Sequence, residues 1–91
     1  MFFVYMVECR DGSLYTGWTD DLTKRLEKHN LGLGAKYTRA RLPVKLVYAE
    51  ELMSRGEALS RELKIKALTR KEKLKLVSDY RNNSFAQKET H

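Results

Sequence analysis

The run FFVYMVEC, residues 2 to 9, is apolar, aromatic or β-branched at every position except Glu8. A half-exposed strand alternates with a period of two, whereas a strand without alternation is covered on both faces. The run is too short to cross a bilayer, and its residue types favour a strand. It is therefore read as a central strand, with the rest of the chain as its neighbours and cover.

Arg10-Asp11-Gly12 turns the chain, and SLYTGW, 13 to 18, reads as the returning strand. Asp20 is a candidate N-cap for a helix over 21 to 31, with Leu22 and Leu26 on its inner face and the glycines of NLGLG ending it. AKYTRARLP, 35 to 43, is a basic connection with room for a helical turn, and VKLVYAE, 44 to 50, is a third strand. Ser54 with Glu57 forms a capping box for a helix over 55 to 67. Thr69 with Glu72 forms another, for a helix to about residue 80 with Leu74, Val77 and Tyr80 inward. RNNSFAQKETH lacks periodicity and reads as a flexible tail. The order ββαβαα gives an α+β fold, a three-stranded, mainly antiparallel sheet with helices packed on it. Residues 1–80 form one domain and 81–91 the tail.

A formal charge of +6 on 91 residues makes a polyanion, above all nucleic acid, the first partner to consider. The single cysteine, Cys9, excludes an intramolecular disulfide and a thiolate zinc site, and fits a reducing cytoplasm. The opening residues lack the basic leader and cleavage site of a signal peptide, and no stretch is long enough to span a membrane. The expected setting is cytoplasmic, with no membrane partner.

The chain has no phosphate-cradling GxxxxGK[ST], no paired-histidine metal motif and no nucleophile elbow. It does place Tyr5, Tyr15, Arg25, His29 and Glu62 in apolar settings. For the tyrosines, one residue of register decides whether a site exists. A two-residue Asp11-Gly12 turn pairs Tyr5 with Trp18 and Tyr15 with Glu8, on opposite faces. A three-residue loop with Gly12 left-handed pairs Tyr5 with Gly17 and Tyr15 with Val7, on one face. The second register is expected, and Gly17 would then leave a gap beside Tyr5 in which a ligand could sit. Arg25 and His29 share a helix face at i, i+4. Glu62 falls between Ala58 and Ile65 on one edge of an apolar face whose other edge is Leu59 and Leu63. A carboxylate there must be paired, as with Lys66 one turn on, bound to a cation, or protonated.

Taken in order, these residues resemble the GIY-YIG nuclease superfamily, and the small stand-alone bacterial members in particular. FVY (3 to 5) and YTG (15 to 17) stand for the two half-motifs, followed by RLEKHN (25 to 30), GAKYTR (34 to 39) and RELKIK (61 to 66). Phe3 and Thr16 depart from the half-motifs within what the superfamily tolerates. The resemblance covers about Phe2 to Val77 and implies a metal-dependent endonuclease hydrolysing phosphodiester bonds with little sequence specificity. One Mg²⁺ or Mn²⁺ ion would be held by Glu62, Tyr15 would act as general base or relay, and Tyr5 would position nucleophile or phosphate. Arg25 would bind the scissile phosphate. His29 is the second candidate base, since its ordinary pKa suits neutral pH.

DNA is expected before RNA, with a protein partner as a source of specificity. Lys36, Arg39 and Arg41, with Lys64 and Lys66 near Glu62, are the expected phosphate contacts, and Tyr37 or Trp18 the stacking surface for an unpaired base. The charges of RKEKLK, 70 to 75, fit a solvated helix face better than a groove. The alternative is a nucleic-acid-binding module that keeps the fold but does not cut.

Overall fold

Strand β1, Phe2–Glu8, lies at the centre of the sheet in a computed structural model that describes residues 1–89. Val4, Tyr5, Met6 and Val7 are all buried, so both faces of the strand are covered. Strands β2, Leu14–Thr19, and β3, Lys45–Leu52, flank it, each antiparallel, in the order β2-β1-β3. Helix α1, Leu22–Asn30, and the short α2, Lys36–Arg39, lie between β2 and β3 in sequence. After β3 come α3, Arg55–Lys66, and α4, Arg70–Glu89. The α+β architecture is the one the sequence predicts.

Each face of β1 contributes to its own core. Val4 and Met6 pack with Tyr48 of β3, Ala58 and Ile65 of α3, and Val77 of α4. Tyr5 and Val7 pack with Cys9 and Val44, flanked by Leu22 and Leu26 of α1. The apolar run is continuous because helices cover both of these faces.

Both capping boxes form. Ser54 and Glu57 exchange bonds at the start of α3, as do Thr69 and Glu72 at the start of α4. The cap of α1 is Asp21 rather than Asp20; its side chain accepts the backbone N–H of Lys24 at 3.0 Å. Two apolar assignments change. Leu59 and Leu63 are exposed, because α3 turns the edge carrying Ala58, Glu62 and Ile65 to the sheet. Leu74 is also exposed, since the inward stripe of α4 runs through Leu76, Val77 and Tyr80. Helix α4 passes the expected end near residue 80 and continues to Glu89; of the expected tail, residues 90–91 lie outside the described residues.

Asn30, the last residue of α1, joins that helix to the start of β3. Its Nδ2 donates to the Val44 carbonyl at 3.1 Å and its Oδ1 accepts the Val44 N–H at 2.8 Å. Val44 is buried, so truncation would leave its peptide groups unpaired. Asn30→Ala should lower the unfolding free energy by about 2 kcal/mol. A urea melt checks this, and an unchanged midpoint would show that the link contributes nothing.

Candidate active site

The hairpin fixes the tyrosines. Cys9 and Ser13 close a three-residue loop in which Gly12 has φ +85, and the register pairs Tyr5 with Gly17 and Val7 with Tyr15. Tyr5 and Tyr15 share the face of the sheet that packs against α1, as expected. The gap expected at Gly17 is filled by the tyrosines themselves. A Cβ built there would lie 2.6 Å from the Tyr5 hydroxyl and 3.2 Å from the Tyr15 ring, so glycine is what lets both rings cross the strand.

Helix α1 brings up His29, which is 1% exposed. Its surroundings define its tautomer. Thr38 directs its one hydroxyl proton to the Ala35 carbonyl, at 3.0 Å, and can only accept from the imidazole. Nδ1 of His29 therefore carries hydrogen toward Thr38 at 2.9 Å, and Nε2 accepts the hydroxyl of Tyr5 at 2.8 Å. Both nitrogens are occupied, so His29 meets the site through Tyr5 and not through water. Gly34 passes so close to the ring that a side chain there would collide with it.

Burial pushes the Tyr5 phenol up to about 12; Arg25 opposes the rise, and Tyr15 and Glu62 add to it. At neutral pH such a phenol is ionised in roughly one molecule in 10⁵, so Tyr5 is a donor there. Burial, assisted by Arg25, lowers the His29 pKa below 6.5 and keeps the ring neutral. The sign of the pH dependence follows. The unfolded chain takes up a proton near 6.5 that the folded chain refuses, so the His29 contribution is complete above that value and is lost as pH falls through the depressed folded one. Stability should therefore decline on acidification through this window, and less so in His29→Gln. Urea melts across the window check it; equal slopes for the two proteins would contradict it.

Arg25, beside His29 on α1, is half-buried and lies against Tyr5. Its Nε is the only buried side-chain polar atom among the described residues without a hydrogen-bond partner. Glu62 reaches the same region from α3 with its side chain 14% exposed, one oxygen 3.5 Å from Nζ of Lys66. Among the described residues no three His, Cys, Asp or Glu side chains gather to hold a metal. Any ion here would depend on one carboxylate, with water and phosphate oxygens completing its shell, an arrangement that suits Mg²⁺.

The expected phosphate contacts separate. Lys66 lines a groove of about 230 Å³ with Leu14, Tyr15, Thr16, Tyr37 and Lys73. Lys73, expected on a solvated face, is thus a groove residue. Lys64 is exposed and, two residues on from Glu62, lies about 200° around the helix from it, away from the expected place beside the carboxylate. Tyr37 stacks on Tyr15 with ring centroids 6.2 Å apart, and the Arg41 guanidinium lies 3.9 Å from the Tyr37 centroid. Asp11 holds Arg41 in place at 3.1 Å. Lys36 is exposed at the start of α2, while Arg39 runs its stem beside Gly32. Thr38 and Gly34 are the site residues that sequence reasoning missed. The only signal for them was GAKYTR itself, whose partner His29 is nine residues from Thr38 in sequence.

Two tyrosines of adjacent strands meeting over Gly17, with a helix arginine and a lone helix glutamate, are set on a three-stranded antiparallel sheet covered by helices. Residues 1–75 match the family model of the GIY-YIG catalytic domain, and the chain belongs to that family. Its relatives include the UPF0213 protein CPE1444 of Clostridium perfringens, 59% identical over 86% of this chain and 84% of the relative. The UPF0213 protein SSP2268 of Staphylococcus saprophyticus is 54% identical over 85% and 94%. Among solved structures, the NMR structure of the UPF0213 protein BH0048 from Bacillus halodurans is 48% identical, with a TM-score of 0.56 over 86% of this chain and 84% of that one. The NMR structure of EF2693 from E. faecalis is 40% identical, with a TM-score of 0.58 over 87% and 84%. Among the described residues no helix is long and apolar enough to cross a membrane.

Proposed function

We propose that this chain is a divalent-metal-dependent endonuclease hydrolysing phosphodiester bonds in nucleic acid, DNA before RNA, with little sequence preference. The observation that supports it most is the convergence of Tyr15, Arg25 and Glu62 on Tyr5 of the central strand, with His29 buried behind them.

In this reading Glu62 holds one Mg²⁺ or Mn²⁺ ion, which when bound polarises the phosphate and makes a water more acidic. Arg25 faces the scissile phosphate, whose oxygens satisfy donors the fold leaves open and whose developing charge the guanidinium offsets. Tyr15, on the open groove, is the phenol that meets the attacking water and relays its proton. Tyr5, protonated and fixed by His29, orients that water or the phosphate. His29 is then a positioning residue that holds the Tyr5 hydroxyl at one angle. Lys66 and Lys73 lie along the strand's path beyond Tyr15. The pairing of Glu62 with Lys66 favours the second reading, a binding module that keeps the fold without cutting.

With a formal charge of +6 on a small domain, affinity should be micromolar in scale, insensitive to sequence, and fall steeply with salt as counterions are released. Nanomolar, sequence-selective binding that survives high salt would contradict this. The reading itself is tested with labelled single-stranded, duplex and branched nucleic acids incubated with Mg²⁺, Mn²⁺ or chelator. Cleavage is expected with metal and absent with chelator; no cleavage of any substrate would leave the binding module.

A further inference from the structure

A second concavity, of about 420 Å³, has Arg25 in its wall and shares no lining residue with the Tyr15 groove. Trp18 and Phe2 line it, ring centroids 6.3 Å apart. Four cations line it: Lys24, Arg25 and Lys28 from α1, and Arg55 from the first turn of α3. Two carboxylates are also present. Asp21 is engaged as the α1 cap, and Asp20 is exposed at the rim. The cations outnumber the carboxylates, and one of them, Arg55, faces the Trp18 ring.

The two faces of the site differ in what they offer a base. The ring of Tyr37 is already engaged by Tyr15 and by Arg41, itself anchored on Asp11, so a base would have to displace one of them. Trp18 has a looser neighbour, the Arg55 guanidinium 5.2 Å from its ring, on an exposed side chain free to move onto a phosphate. Arg25 lines this cleft and also lies against Tyr5, so a phosphate held at Arg25 would stand at the wall of the cleft. An indole in a concavity of this size accepts a base only when that base is unstacked from its neighbours.

We propose that the Trp18 cleft is a nucleotide subsite, in which an unpaired nucleotide adjoining the scissile phosphate stacks on Trp18 and sets its own phosphate among Lys24, Lys28 and Arg55. The inference rests on the nuclease reading for the position of the scissile phosphate. It deepens that reading by naming the substrate class: a strand that is single or locally unpaired next to the cut.

Trp18 is the only tryptophan of the chain, so its fluorescence reports on the cleft directly. The test titrates the full chain, in chelator, with a labelled single-stranded oligonucleotide and with a blunt duplex of equal length, following tryptophan emission and label anisotropy together. Single strand should quench Trp18 along the same isotherm as the anisotropy, and duplex should quench it little. Trp18→Ala should weaken single-strand binding about tenfold, with Trp18→Phe recovering most of it, because one stacked base is lost and then restored. Arg55→Ala, on an exposed side chain, should lower the salt slope by about one without altering the melt. Anisotropy binding with unchanged tryptophan emission would overturn the subsite, as would equal affinity in all three variants or no binding at all. In the first two of these outcomes metal-dependent cleavage by wild type would leave the nuclease reading intact. Quenching without cleavage of any substrate would support Trp18 as the nucleotide contact, but would end the nuclease reading and with it the placement beside a cut.

Discussion

Glu62→Gln is expected to slow single-turnover cleavage at least about a thousandfold, the equivalent of roughly 4 kcal/mol, while the melting temperature stays equal or rises slightly. Glutamine keeps the shape and helix propensity of the side chain but lacks the charge that would hold a cation. The stability half follows from burial. The Glu62 side chain is 14% exposed, but its partner Lys66 is 48% exposed and 3.5 Å away. When the carboxylate is neutralised, Lys66 turns to water, so the lost pairing is worth under about 1 kcal/mol. Relief of a mostly desolvated charge offsets it. Melts with and without Mn²⁺ check this, and any Mn²⁺ stabilisation of wild type should vanish in the variant. A large loss of stability with cleavage retained would make Glu62 an architectural residue.

Gly17→Ala should act on the same site from the opposite side. The new methyl group would lie 2.6 Å from the Tyr5 hydroxyl and 2.9 Å from its Cζ. Tyr5 has little space to withdraw, being 2% exposed and bonded to His29. Overpacking of this kind costs about 1–3 kcal/mol, and a displacement near 1 Å at a reacting centre can lower a rate about a hundredfold. The clash and its cause separate in a double-mutant cycle. Tyr5→Phe removes the atom nearest the added methyl, so Gly17→Ala should destabilise that background less than it destabilises wild type. Urea melts of the four proteins measure the coupling; strict additivity would show that Gly17 is not there for the tyrosine.

What could be read from sequence was local. The unbroken apolar character of residues 2 to 7 placed β1 at the centre, and the capping boxes at Ser54 and Thr69 started α3 and α4 where predicted. The left-handed Gly12 decided the hairpin register, and with it the shared face of Tyr5 and Tyr15. What escaped depends on distant partners. The tautomer of His29 is defined by Thr38 and Ala35, and Asn30 meets Val44 across a connection without a periodic signal. Periodicity gave α3 a face including Leu59 and Leu63, but only the sheet determines which edge turns inward, and it chose the edge carrying Glu62. The same limit applies to charge. Lys64 and Lys66 look alike in sequence, yet only Lys66 lines the groove, where Lys73 joins it from α4.

The most direct test measures binding and cleavage of one labelled strand, side by side, for wild type and Glu62→Gln prepared identically, in Mn²⁺ and in chelator. Wild type should cut in Mn²⁺ and stop in chelator, while Glu62→Gln retains most of the chelator-state affinity but does not cut in either condition. Equal cleavage by the two proteins in Mn²⁺ would contradict the assignment of Glu62 as the carboxylate on which the chemistry depends.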